Sequence, residues 1–254
     1  MRIAVCIKQV VTREWQLRLN DGATWIRDQE ASFELNEPDA YALEEALRLK
    51  EKHGGEVVVC SAGPTRAAQV IREALARGAD RAIHVESDAL AAADAFTVAD
   101  ALASAIRDDQ FDLVLTGLQS DDQGFGQVGV VLAQKLGMPH ATIIMEVQAS
   151  ESAGAGQAGA VRVKRELEGG WFQWMTLPLP ALLTIQSGIN QLRYATLKGI
   201  MAAKKKEIKK VTPAAAAPSQ RVASLYFPEK GKKTQLLSGP APEAARELVK
   251  RLRE

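Results

Sequence analysis

The chain has 254 residues, 46% of them hydrophobic and 25% charged, which is typical of a globular protein with one large core. Its formal net charge of +1 excludes a general attraction to nucleic acid, so no nucleic-acid partner is expected. No apolar run is long enough to cross a bilayer, so no membrane insertion is expected either.

The N-terminus and the cysteines indicate the compartment. The first residues enter a strand pattern directly and lack a small-residue cleavage site, so we expect no signal peptide. Cys6 and Cys60 each lie inside an apolar, strand-like run, which favours buried thiols over a disulfide. We therefore expect a cytoplasmic protein.

Short apolar runs alternate with helical patterns in the first half of the chain. Strands are predicted at 3–7, 56–64, 81–86 and 111–117, and helices at 39–55, 65–80, 95–108 and 126–138. Asn36 and Asp39 resemble a capping box for the first helix, with Pro38 in its first turn. Apolar strands separated by helices of this length predict a parallel sheet covered on both faces.

The pattern changes in the second half. Four strand-like runs follow at 142–150, 160–170, 171–180 and 181–186, with a small-residue loop at 149–160. We expect them to add antiparallel strands to the sheet edge. From residue 191 the alternation ends, a linker-like tract covers 211–220, and an amphipathic helix is predicted at 241–254. The expected units are an α/β domain at 1–190 and an extended arm at 191–254.

A glycine-rich stretch, GLQSDDQGFGQVG at 117–129, is the first candidate site. It leaves a predicted strand and enters a helix, whose N-terminal amides suit a phosphate group. It is neither a Walker loop nor a complete dinucleotide fingerprint, and an ordinary glycine-rich turn remains an alternative. Lys8 and Gln9 after the first strand are another candidate, although the local pattern favours an ordinary strand exit. The turn 61–64 fits a ligand contact and a plain turn equally well.

The sequence carries no evident catalytic machinery. His53, His84 and His140 are scattered and do not have the spacing of metal ligands. The acidic pairs 44–45 and 121–122 are typical of surface or capping positions. A nucleotide site is therefore plausible, whereas an enzymatic nucleophile is not indicated.

A long region resembles a known family. The stretch VKRELEGGWFQWMTLPLPALLTIQSGINQLRYATLKGIMAAKKKEI, at 163–208, resembles the signature region of the electron transfer flavoprotein β subunit. The elements VCIKQV, LNEPDAYALEEALRLKE, GADRAIHVE and GLQSDDQGFGQVG stand in the same order as in that family, and the resemblance extends to the YFPEKGK tail. In detail it is most similar to bacterial members that serve flavin dehydrogenases such as trimethylamine dehydrogenase.

The resemblance implies a fold, a partner and two cofactors. The fold would be a doubly wound, mostly parallel, Rossmann-like sheet with antiparallel edge strands and a C-terminal arm. The chain would be an electron carrier rather than an enzyme, in an obligate heterodimer whose α subunit holds most of the FAD and is covered by the arm. The β subunit would bind a structural AMP.

The resemblance also assigns site residues. For AMP these are Cys6, Asn36, Glu37, Pro38, Asp39, Ala62, Gly117, Gln119, Ser120, Asp121, Asp122, Gln123, Gly124, Phe125, Gly126, Gln127 and Val128. Arg13 and Trp15 would form a wall against FAD. A recognition loop that docks a flavin dehydrogenase would use Arg193, Tyr194, Leu197 as apolar anchor, Ile200, Met201 and Lys205.

The chain departs from the family pattern at two positions of this loop. Leu192 stands where the family commonly has proline, and Ala202 stands at the first of its basic positions. The lysines at 204–206 have an alternative as ordinary solvated surface. Two alternative functions remain: a bifurcating member with a second FAD and NADH as donor, and a non-redox nucleotide-sensing module.

Overall fold

A computed structural model describes residues 1–150, 159–214, 217–228, 231 and 234–253. The strands are β1 (Arg2–Cys6), β2 (Gln9–Val11), β3 (Phe33–Leu35), β4 (Glu56–Gly63), β5 (Arg81–Glu86), β6 (Leu113–Gly117), β7 (His140–Ser150), β8 (Ala160–Glu166), β9 (Phe172–Pro178), β10 (Ala181–Ile185) and β11 (Ile208–Val211). The helices are α1 (Glu37–His53), α2 (Ala68–Arg77), α3 (Ala95–Ile106), α4 (Val128–Leu136), α5 (Leu197–Ala203) and α6 (Ala241–Arg253).

One large sheet organises the molecule. Its strands lie in the order β11-β5-β4-β1-β6-β10-β7-β8-β9, while β2 and β3 form a separate antiparallel pair. All pairs from β11 to β7 are parallel, and β8 and β9 are antiparallel. The predicted α/β fold with a mostly parallel sheet is therefore confirmed.

Helices cover both faces of the sheet. Ile3 and Val5 of β1 point to the face covered by α1 and α2, where they join one apolar cluster. Ala4 and Cys6 alternate to the opposite face and join a second cluster with α3 and α4. This alternation along one fully buried strand is typical of a doubly wound sheet.

The prediction for the second half is partly wrong. β8 and β9 are antiparallel edge strands as expected, but β10 lies inside the sheet, parallel to both β6 and β7. All five residues of β10 are buried, which agrees with its continuous apolar sequence, the pattern of an interior parallel strand. The predicted 149–160 loop lies largely outside the described residues, as do four positions of the tail at 229–230 and 232–233.

The segment after residue 191 is more regular than the sequence predicts. The expected recognition loop contains the helix α5, whose first turn is capped by the Thr196 hydroxyl accepting from the Gly199 amide at 3.0 Å. After it, β11 pairs with β5 at the edge of the sheet. This strand was not predicted from the sequence, because Lys209 and Lys210 interrupt its apolar pattern.

Helix α5 is held against α2 by hydrogen bonds from two basic side chains and by close packing. The Arg72 guanidinium donates to the carbonyls of Ala203 at 2.6 Å and Lys206 at 2.8 Å. The Lys206 ammonium donates in turn to the Leu75 carbonyl at 3.1 Å, near the end of α2. One member of the lysine run is therefore structural, and its burial lowers the pKa of Lys206. No helix in the described ranges is both long and apolar enough to cross a membrane.

We predict that Gly199→Ala destabilises the protein. A Cβ at this position would lie 2.3 Å from the Ala76 carbonyl oxygen, so α5 must move away from α2. We expect a loss of about 1–3 kcal/mol in the free energy of unfolding, measured with urea. The control is Gly22→Ala, whose Cβ would meet only the Thr24 hydroxyl at 3.7 Å. Equal unfolding midpoints for the two variants would contradict the prediction.

Candidate functional site

A cavity of about 120 Å³ opens at the carboxyl ends of the central strands. It is lined by Cys6, Ile7, Lys8, Asn36, Asp39, Ala62, Leu90, Ala93, Ala95, Val98, Leu102, Thr116, Gly117, Leu118, Gln119, Ser120, Phe125, Gly126, Gln127, Val128 and Gly129.

The position of this cavity follows from the topology. From β1, the chain builds the sheet outward through β4 and β5, and then returns to place β6 on the other side of β1. The order of the strands reverses at this point, so the loops after β1 and β6 diverge and leave a crevice. Open α/β sheets generally bind ligands in such a crevice.

The Asp39 carboxylate lies at the base of this crevice. One oxygen accepts from the Lys8 amide at 2.7 Å, just after β1, and the other accepts from the Gly117 amide at 2.9 Å, at the end of β6. A Cβ on Gly117 would lie 2.4 Å from the carboxylate, so only glycine fits there. Asp39 thus joins the ends of two neighbouring strands through a single side chain.

Asn36 holds the glycine-rich turn at 117–129. Its side-chain amide donates to the Gln119 carbonyl at 3.0 Å, and its oxygen accepts from the Asp121 amide at 2.9 Å. The predicted capping box is therefore wrong, because these long-range partners take the side chain away from its own helix. The prediction of Pro38 in the first turn of α1 is confirmed.

Lys8 provides a second attachment for this turn. Its ammonium donates to Ser120 Oγ at 3.2 Å, Asp122 Oδ1 at 2.7 Å and Gln123 Oε1 at 3.0 Å. The turn itself needs left-handed backbone at Gly124 and Gly126, with φ of 66° and 62°. It then enters α4 with the amides of its first turn beside the cavity.

The entry into α4 gives the cavity an electropositive wall. Gln127 precedes the helix and makes no side-chain cap, so the first amides are not used by that side chain. Such amides, together with the helix dipole, favour an anion. Gly129 is required by packing rather than by backbone freedom, because its Cβ would lie 2.7 Å from Thr116 Oγ1.

The structure brings most of the residues assigned to AMP to the cavity wall. Those that do not line it are Glu37, Pro38, Asp121, Asp122, Gln123 and Gly124. They form the support behind the wall: Asp121 Oδ2 accepts from the Glu37 amide at 3.3 Å, and Pro38 packs on Gly117.

An apolar wall of the cavity was not foreseen from the sequence. It consists of Leu90, Ala93, Ala95, Val98 and Leu102, at the start of α3 and just before it. The Asp94 carboxylate caps this helix by accepting from the Thr97 amide at 2.8 Å, which orients the wall. In the sequence, an aspartate before an apolar helical pattern, at 94–96, indicates the start of this helix. The sequence does not indicate that the helix lies close to the glycine-rich turn.

Comparison with known proteins decides the family. The electron transfer flavoprotein domain matches residues 24–216. The chain is 37% identical to the electron transfer flavoprotein subunit beta of Methylophilus methylotrophus, over 100% of this chain and 98% of that protein. The chain belongs to the electron transfer flavoprotein β subunits. It therefore has a role in electron transfer.

Two further electron transfer flavoprotein β subunits are similar over most or all of the chain. That of Syntrophomonas wolfei is 41% identical over 89% of this chain and 85% of its own length. That of Bacillus subtilis is 34% identical over 100% of this chain and 98% of its own length. The resemblance stated from the motifs is confirmed over the whole chain.

The two residues expected against FAD lie outside the cavity of this electron transfer flavoprotein β subunit. Arg13 pairs with Glu37 at 2.5 Å and with Asp121 at 3.5 Å, while about two thirds of its side chain remains exposed, at 66%. Trp15 is half-buried two residues further along. Arg13 therefore lies on the outer surface near the supporting side of the glycine-rich turn.

The residues expected to bind a partner dehydrogenase form an exposed apolar surface on and before α5. Leu197 is 84% exposed, and Tyr194, Ile200 and Met201 are also exposed. We call these four residues the α5 patch. Lys205 is exposed beside it.

Arg193, in contrast, points back into the protein. Its guanidinium pairs with Glu44 at 2.8 Å and Glu51 at 2.6 Å, both on α1. The acidic residue Glu44 is thus an internal partner, and not the surface group that its sequence indicated. Among the described residues, no group of three or more His, Cys, Asp or Glu side chains is placed to hold a metal ion.

We predict a specific pH dependence from Asp39. Burial raises its pKa from 3.8 to about 7, against the opposing effect of its amide donors. A raised native pKa means that the folded state binds the proton more tightly than the unfolded state does. The stability contributed by Asp39 is therefore greatest below pH 4 and falls as the pH rises toward about 7.

The test compares wild type with Asp39→Asn by urea unfolding between pH 4 and pH 8. The difference in unfolding free energy, wild type minus variant, should fall by up to roughly 1.4 kcal/mol per pH unit across the lower part of this range. Asp21→Asn is the control, because its side chain is 96% exposed. A difference that rises with pH would show that the amides keep Asp39 ionised, contrary to this prediction.

Proposed function

We propose that this chain, paired with an electron transfer flavoprotein α subunit, carries electrons on FAD from a flavin dehydrogenase to a downstream acceptor in the cytoplasm. We further propose that it binds AMP as a structural ligand. The observation that carries the AMP proposal is the cavity at the reversal point of the sheet, lined by Cys6, Ala62 and the glycine-rich turn.

AMP fits the chemistry of this cavity. Its phosphate would lie on the amides near Gly126 to Val128, at the positive end of α4. Its adenosine would lie between Cys6 and Ala62 on one side and the apolar wall of Leu90, Val98 and Leu102 on the other. The cavity is thus polar at one end and apolar at the other, as a nucleotide requires.

FAD would be held mainly by the α subunit. This chain has no complete dinucleotide fingerprint, and its glycine-rich turn serves the cavity described above. The β subunit would contribute a wall through Arg13 and Trp15, of which Arg13 lies on the surface beside Asp121 of that turn. FAD, when bound, supplies the electron-carrying chemistry, and these side chains would position and shield it.

A bifurcating function with a second FAD is the alternative that one observation favours. A neighbouring cavity of about 50 Å³ shares Lys8, Ala62 and Leu90 with the first. A ligand longer than AMP would extend into it from the first cavity. Absorbance of the purified heterodimer separates the cases: one flavin with AMP supports the main proposal, two flavins support bifurcation, and no flavin supports a non-redox sensor.

The α5 patch would dock the dehydrogenase. A single protruding leucine among exposed lysines suits a weak and rapidly exchanging complex, because one apolar anchor gives specificity while the charges steer the encounter. Arg193 would support docking indirectly, because its ion pairs with Glu44 and Glu51 attach the start of the segment to α1. We propose that residues 191–254 as a whole serve partner recognition and contact with the α subunit.

The C-terminal helix supports the second of these roles. No residue of α6 is buried within the described chain, and Leu248, Val249 and Leu252 are exposed on it. An amphipathic helix with an uncovered apolar face needs a partner surface. The α subunit is the partner that the family membership implies.

We predict that filling the cavity removes AMP. Ala62→Leu adds volume inside the cavity without removing a polar contact, so acid release and chromatography should recover AMP from wild type and much less from the variant. Ala92→Leu is the matched control, because Ala92 is exposed and does not line the cavity. Equal AMP contents in both variants, or no nucleotide in intact wild-type heterodimer, would contradict the proposal.

We predict that Leu197→Ala weakens dehydrogenase docking by roughly 2 kcal/mol or more, because it removes an apolar anchor. The measurement is the rate of flavin reduction against dehydrogenase concentration. FAD content, AMP content and heterodimer stability should not change. Neutralising Lys204 and Lys205 should slow reduction mainly at low salt.

The control is Leu167→Ala, which truncates another exposed leucine, between β8 and β9 at the opposite edge of the sheet. It should match wild type in the same assay. If Leu197→Ala also matches wild type, or loses FAD instead, the segment has a structural role and the docking proposal is wrong.

A further inference from the structure

The two cysteines are direct neighbours across the sheet. β1 and β4 are parallel, and their register pairs Cys6 with Cys60. Both side chains belong to the apolar cluster on the α3 and α4 side, so both point to the same face. Adjacent strands lie about 4.8 Å apart, which falls within the Cα separations that disulfides span.

Only one of the two thiols is reachable from the cavity. Cys6 lines the cavity and is 6% exposed, whereas Cys60 lies behind it and is fully buried, at 0%. A small solute that enters the cavity therefore meets Cys6 first. Cys60 can react only through its neighbour.

We propose that Cys6 and Cys60 form a modifiable dithiol at the floor of the cavity, oxidised by small hydroperoxides to a disulfide when the cavity is empty. Cys6 is the thiol attacked, and Cys60 is the resolving thiol. The part of this proposal that concerns the occupant rests on the proposed AMP site, whereas the dithiol itself does not.

The chemistry balances with a hydroperoxide as oxidant. The Cys6 thiolate attacks one peroxide oxygen, the O–O bond breaks, and Cys6 becomes a sulfenic acid while the other oxygen leaves as water after protonation. The Cys60 sulfur then attacks the sulfenic sulfur and expels a second water. Two thiols lose two electrons and two protons, and hydrogen peroxide is reduced to two waters.

The environment makes this reaction slow but selective. The Cys60 thiol and burial raise the pKa of Cys6, so little thiolate is present at neutral pH. Thiol–disulfide exchange would return both cysteines to the reduced state. The modification would therefore be reversible and not a permanent crosslink.

The test treats the reduced heterodimer with hydrogen peroxide after nucleotide removal by dialysis. Trypsin cuts after Arg2, Lys8, Lys52 and Arg66, so mass spectrometry should find peptide 3–8 linked to peptide 53–66, with the loss of two hydrogens. AMP at ten times its measured dissociation constant should slow the linkage about tenfold, because only the unoccupied fraction reacts.

Two variants assign the roles. In Cys60→Ala, dimedone should trap a sulfenic acid on Cys6, with no linked peptide. In Cys6→Ala, Cys60 should stay reduced at the same peroxide dose. Urea unfolding checks that both variants fold, and the wild-type linkage decides the proposal even if one of them does not.

Several results would overturn this proposal. One is the absence of the linked peptide in wild type, and another is oxidation of Cys60 in Cys6→Ala at the wild-type rate. If AMP binds but does not slow the linkage, the cavity is not the route of access. If AMP fails to bind while linkage proceeds, the proposed AMP site is wrong and the dithiol assignment stands.

Discussion

The Asp39 carboxylate is the interaction on which the functional half of this molecule depends. β1 and β6 are bonded to each other up to Cys6 and Thr116, and then separate. The Asp39 side chain lies in that gap and accepts one hydrogen bond from a backbone amide on each side. The gap is thereby kept open at a fixed width, and Gly117 is required because any side chain there would occupy the place of the carboxylate. The cavity therefore depends on the buried Asp39 carboxylate and on the two backbone amides that donate to it.

The same helix, α1, also reaches the segment that leads into α5. The start of α1 holds the glycine-rich turn through Asn36 and Asp39, and its outer side binds Arg193 through Glu44 and Glu51. Asn190 adds a bond to the Tyr41 carbonyl at 3.1 Å. The cavity and the segment that leads into α5 thus share α1 as a common support, while α5 itself is held by α2.

Local sequence patterns predicted the helices and strands well, but they predicted less well which elements and side chains lie next to each other in the fold. The strand at 81–86 has the bounds that its apolar alternation indicates, because that signal is carried by the strand alone. β10 was assigned to an edge because its place between β6 and β7 is set by distant strands. Asn36 looked like a cap for a similar reason: its true partners, Gln119 and Asp121, are more than eighty residues away. The glycine-rich turn was found by composition, whereas the apolar wall from α3 was missed because its small residues carry no chemical signature.

The order of the strands also sets how many large bodies this chain can hold at once. Helix α5 leads into β11 at one edge, and the exposed aromatic side chains Trp171 and Trp174 lie at the other edge, on and beside β9. Eight strand spacings separate these edges, roughly 38 Å before the twist of the sheet is considered. A protein that approaches one edge therefore leaves the other accessible. Two large molecules can therefore contact this small domain at α5 and at β9 at the same time without competing for space.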